Sequence, residues 1–175
     1  MLTATLNDLE RVAPAFLAQR SETVLPIDWE FVQNHFGITF PADYREYRSH
    51  YRHLLIDGFL TILGPVPGDE QGYVAATAEH LELFRGMADD DMTEGYTFHP
   101  EAGGLFPWGG SSEGDMFFWR MSGPDPDRWP SVVFSRNLDW WEHDGTMLSL
   151  VVGLIDGSVE HRGLPVQPRP NPPVD

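Results

Sequence analysis

Phe106-Pro-Trp-Gly-Gly-Ser-Ser-Glu-Gly-Asp-Met-Phe-Phe-Trp119 is the stretch on which the reading of the fold turns. Two aromatic runs, Leu105 to Trp108 and Met116 to Met121, flank a connection rich in Gly and Ser, so the stretch reads as a hairpin joining two strands. Downstream, Ser131 to Arg136 and Asp139 to His143 are again strand-like, reached through the turn residues Gly123-Pro-Asp-Pro-Asp127. Upstream, Phe59 to Leu63 is short, apolar and bounded by Gly58 and by Gly64-Pro65, as strands often are.

Helical spacing surrounds these strands. Leu2, Leu6, Leu9, Val12 and Phe16 recur every three or four residues, with Pro14 expected to end or kink that helix near Ala13. A second helix is predicted after the N-cap Asp28, burying Trp29, Val32 and Phe36 and stopping at Gly37. A third starts at Pro41, with Tyr44, Tyr47 and Tyr51 inward and Arg45, Arg48 and Arg52 outward. Thr77 to Met87 turns Leu81, Phe84 and Ala88 to one side, and Asp89 to Gly95 reads as an acidic loop. Thr146 to Ile155 closes the domain, with Asp156-Gly157 as its stop. Short connections make the strands antiparallel. The expected class is α+β, a central, mainly antiparallel sheet flanked by helices.

Charge separates partner classes. The 175 residues carry 11 Arg, no Lys and 27 Asp plus Glu, a net charge of −16. Such a surface repels nucleic acid and anionic membranes and attracts basic partners. Eleven acids fall between Asp69 and Asp115, with Arg85 the only cation among them. There is no Cys, so disulfides, thiolate metal sites and a cysteine nucleophile are excluded. The first ten residues lack a basic start followed by an apolar run, and the longest apolar run, Met147 to Ile155, is far below the ~20 residues of a membrane helix. A cytoplasmic protein is expected.

Three stretches together resemble the SUKH superfamily of Smi/Knr-like immunity and cell-wall-regulator proteins. They are Leu25 to Tyr47, with Gly37 and Phe40-Pro41-Ala-Asp-Tyr44; Asp57 to Pro65; and the Phe106 to Trp119 hairpin with Gly114-Asp115-Met-Phe-Phe-Trp119. The resemblance implies a SUKH-like domain over 25–160, preceded by an N-terminal helix and linker over 1–24. Residues 161–175 follow as a Pro-rich tail, expected to be extended and largely disordered. It also implies a non-enzymatic binding domain, an immunity protein that neutralises a cognate polymorphic toxin. A basic toxin fits the charge. The alternative is a regulatory scaffold binding a host protein.

Chemistry-like signals are weighed against that reading. Gly110-Ser111-Ser112-Glu113-Gly114 matches the G-x-S-x-G elbow that presents Ser112 in a serine hydrolase, but an elbow needs a helix after the turn and a strand follows here. Asp89, Asp90, Asp91 and Glu94 lack the alternating ligand spacing of a calcium loop. His50 and His53 read as a surface pair. No catalytic residue, cofactor or metal is expected. Adjacent strand residues point to opposite faces, so one of Trp140 and Trp141 meets solvent, a cleft or a partner, or else packs beneath the terminal helix or tail. The expected partner contacts are Asp89, Asp90, Asp91, Glu94, Glu113, Asp115, Trp141, Glu142 and Asp144, with the acids pairing to Arg or Lys and Trp141 as the apolar anchor.

Overall fold

The aromatic hairpin forms as read. In the computed structural model, which describes residues 1–164 and 171–175, β3 (Leu105–Ser111) and β4 (Met116–Arg120) pair antiparallel, with Phe106 opposite Trp119. A bulge between Pro107 and Gly109 shifts the register. Around them run β1 (Leu55–Ile56), β2 (Leu60–Ile62), β5 (Ser131–Phe134) and β6 (Trp140–His143). All six pair antiparallel in the order β1-β2-β3-β4-β5-β6, a meander whose neighbours in space are neighbours in sequence. The class is α+β.

Among the described residues six α-helices pack around the sheet: α1 (Leu6–Val12), α2 (Ala15–Gln19), α3 (Trp29–Phe36), α4 (Ala42–His50), α5 (Glu70–Asp89) and α6 (Met147–Asp156). On one face, Phe118 and Phe134 meet Phe84 of α5 with ring centroids 5.0 and 5.5 Å apart. On the other, Trp119 meets Tyr44 of α4 at 4.9 Å, and His143 of β6 meets Ser149 of α6 at 2.9 Å. Met147 to Ile155 are all buried, because α6 is enclosed by the sheet, α1 and α4. Among the described residues no helix is long and apolar enough to cross a membrane.

Local signals held where they were strong. The Asp28 carboxylate accepts from Phe31 N at 2.9 Å, and Gly37 ends α3 in the left-handed region at φ 68°. Tyr44, Tyr47 and Tyr51 are buried. Pro14 divides the first helical pattern into α1 and α2, and Pro41 serves as the N-cap of α4 instead of its first turn.

Four expectations change. α5 begins at Glu70 instead of Thr77, because Asp69 caps it by accepting from Gly72 N. β1 was missed; it is two residues long, too short to show a period. Arg48, expected outside, is 1% exposed: its Nη1 donates to Arg52 O at 3.0 Å and its Nη2 to Pro65 O at 2.9 Å, tying α4 to the chain on either side of β1 and β2. The tail is not wholly free: Leu164, Pro172 and Val174 are buried, and Val174 bridges Ile56 of β1. Residues 165–170 of that tail lie outside the described residues.

Arg48 fixes a glycine. A Cβ at Gly64 would stand 2.5 Å from Arg48 Nε and 2.7 Å from the Tyr44 hydroxyl, so Gly64→Ala is expected to destabilise by about 1–3 kcal/mol. Gly86, exposed within α5, has nothing within 4 Å, and Gly86→Ala is expected to stabilise by up to about 1 kcal/mol. Opposite shifts of the urea midpoint at constant slope check the pair.

Candidate functional site

The acidic block gathers at the end of α5. Asp89 closes the helix, Asp90 caps it, and Asp91 and Glu94 continue in the left-handed region at φ 59° and 49°. All four are exposed, and none forms a salt bridge among the described residues. Glu79, Leu83 and Asp90 recur at helical spacing on the solvent side of α5, with Leu83 61% exposed.

The loop after α5 is pinned to the sheet. Trp140 Nε1 donates to Met92 O at 3.3 Å, Thr93 Oγ1 donates to Tyr96 O at 2.8 Å, and the Tyr96 ring lies 5.3 Å from that of Trp140. Burial raises the Tyr96 phenol above its usual range, and the charges of Glu142 and Glu94 push it the same way against Arg120. Glu142 shares this face and is bound to Arg120 at 2.7 Å. Glu94 stands in the loop that continues from Asp89, Asp90 and Asp91, while Glu142 lies on β6 two residues after Trp140.

The other expected contacts separate from this surface. Glu113 is exposed but paired with Arg136 at 2.6 Å, at the end of the sheet where the β3–β4 and β5–β6 turns lie side by side. Asp115 is withdrawn as a contact. It is fully buried, accepts from the Ser111 hydroxyl and accepts from Arg136 N at 2.9 Å, so its charge holds two turns together. Trp141 is withdrawn as an anchor. With cores on both faces of the sheet, Trp140 and Trp141 are each buried, and Trp141 Nε1 donates to Arg162 O at 3.0 Å while the Arg162 guanidinium lies 5.9 Å from the ring centre. Asp144 is exposed, 3.4 Å from the Met1 amino group.

Two features escaped the sequence reading. Leu138, half exposed at the β5–β6 turn, holds φ 67°, a conformation that suits Gly and costs a branched residue about 1 kcal/mol or more. Its signal was the absence of a glycine after Asn137. The second is a cleft of about 230 Å³ lined by His53, Gly64, Asp69, Tyr73, Thr77 and His80. Tyr73, Thr77 and His80 lie three or four apart on α5, a spacing that was legible but not read as a face. The Tyr73 hydroxyl is buried and faces the hydroxyls of Tyr44 and Thr77. The cleft is smaller than the pockets that hold drug-sized ligands, and a single side chain would fill it.

The nucleophile elbow is absent at Ser112. The chain passes from strand to turn to strand there, and Ser112 Oγ donates to Gly58 O at 3.2 Å. His50 does not line the cleft that His53 shares with His80, and among the described residues no group of three or more His, Asp or Glu is placed to hold a metal ion.

No protein-family model, curated protein or solved structure matches this chain.

Burial predicts which of the expected contacts matter to folding. Asp115→Ala is expected to cost about 1–3 kcal/mol, since it leaves Arg136 N and the Ser111 hydroxyl without their acceptor, while Asp90→Ala stays within about 0.5 kcal/mol. Leu138→Gly is expected to gain about 1 kcal/mol by relieving the left-handed backbone. Chemical denaturation of the three variants checks the ranking; a loss on Leu138→Gly would show that its side chain contributes more than its backbone costs.

Proposed function

We infer that this chain is a non-enzymatic binding domain that neutralises a basic protein, acting in the cytoplasm as an immunity protein toward a cognate toxin. The observation that carries this is the surface at the end of α5: Asp89, Asp90, Asp91 and Glu94 exposed and without salt bridges, beside the exposed apolar side chains of Leu83 and Met92. Exposed apolar side chains on an element that also carries a block of acids have the make-up of a protein interface, in which the anchors hold and the charges steer. A net charge of −16 extends that steering over the whole molecule. The SUKH-like order of motifs supports the same reading, as does the hairpin geometry at Ser112, which offers no elbow.

Low-salt capture on the tagged chain, followed by purification of the retained protein, supplies the partner. A basic protein whose activity the chain abolishes at about one to one is the expected result. With that protein in hand, Asp89→Arg/Asp90→Arg/Asp91→Arg is expected to slow association at least about tenfold and to flatten its salt dependence. An unchanged association rate removes this surface. Retention of a host complex whose activity is not abolished replaces immunity by regulation.

A further inference from the structure

The edge of β1 is closed by the chain's own last described residues. β1 pairs with β2 on one side, Leu55 opposite Thr61 and Ile56 opposite Leu60. On the other side Leu55 N donates to Asp175 O at 2.8 Å, Asp175 N donates to Leu55 O at 3.1 Å, and Asp57 N donates to Pro173 O at 2.8 Å. Val174 stands opposite Ile56 in an antiparallel bridge. The segment alternates as a strand does: Pro172 and Val174 are buried, and Asn171, Pro173 and Asp175 are exposed.

The seat is framed from outside the sheet as well. Asn171 N donates to Val12 O at 3.3 Å, at the end of α1, and Gln19 Nε2 at the end of α2 donates to Val174 O at 3.3 Å. Ile56, opposite Val174, and Leu54 on the same side of the chain are both buried. Main-chain bonds along an edge, with pockets for alternate side chains, are the means by which sheets take up extended peptides.

We propose that the edge of β1, framed by α1 and α2, is a strand-addition site for an extended peptide of another protein, and that residues 171–175 occupy it in cis. The peptide it fits has Pro or a small apolar residue followed two positions later by Val or a similar β-branched residue, the pattern that Pro172 and Val174 present. The resident segment is an imperfect occupant. Pro173 stands opposite Asp57 and has no N–H, so it accepts in that pair and cannot donate. One buried Val, one buried Pro, three ladder bonds and the two bonds to Val12 and Gln19 are a small holding for a segment that also has to be ordered. Occupancy in cis lowers the apparent affinity for any outside peptide by the fraction of time the edge is open.

The test uses the full chain and a fluorescently labelled peptide Asn-Pro-Pro-Val-Asp, the sequence of 171–175. Val174→Asp puts a charge in the buried position and releases the resident segment. The labelled peptide is expected to bind the Val174→Asp chain at least about tenfold more tightly than the wild type, and a peptide carrying the same Val-to-Asp change is expected not to bind. No binding to the variant, equal binding to both chains, or dimer formation in place of peptide binding overturns the proposal. Should the variant fail to fold, amide exchange in the wild type decides. Leu55 and Asp57 amides exchanging through a local opening, ahead of the β2 amides, support a displaceable strand, and exchange of both only on global unfolding overturns it.

Discussion

Consecutive aromatic residues on β4 impose the constraint from which the rest follows. Phe117, Phe118 and Trp119 alternate across the sheet, and all three are buried, so neither face can be left to water. An antiparallel meander usually needs only one covered face. Here one face is closed by Phe84 and the residues that follow α5, and the other by α4 and α6. Because α6 is itself enclosed, α1 and α4 are needed outside it. The exposed parts of the domain include the outer side of α5, the turns at the sheet's ends and the cleft between α5 and the segment after β2.

That constraint explains what was readable in the sequence and what was not. The hairpin, α3 with its Asp28 cap and Gly37 stop, and α6 from Thr146 to Gly157 each carry a local signal that does not depend on the rest of the chain. The missed parts depend on tertiary partners. Arg48 reads as a surface residue until Arg52 O and Pro65 O are beside it. Leu55 and Ile56 form a strand because Leu60 and Thr61 fold back beside them, and Val174 then bridges the open side.

The candidate surface divides along the same line. The acids after α5 were legible as a block of one sign in a loop, and the loop is exposed. Asp115 and Trp141 could be sorted only by knowing that two turns meet at Arg136 and that the sheet has two cores. Leu138 was hidden for the opposite reason: its position is signalled by a residue that is missing, the glycine such a turn prefers.

Carboxylates are placed in two opposite ways in this molecule. Asp8, Asp28 and Asp69 sit at the starts of α1, α3 and α5, where they accept from exposed backbone N–H groups and oppose the positive end of the helix dipole. These stabilise the fold. Asp89 and Asp90 sit at the finish of α5, whose last turn carries no basic residue, so their exposed charges face the negative end of the dipole at a cost of about 0.3–0.5 kcal/mol each. Asp91 and Glu94 add a left-handed backbone, and Leu138 does the same at the β5–β6 turn. None of the four acids recovers this cost through a salt bridge among the described residues. Solubility alone would be served as well by acids anywhere on the surface, including at helix starts where they also stabilise. Negative charge concentrated where the backbone opposes it, next to apolar side chains left in water, is the feature on which the proposed interface with a basic protein rests.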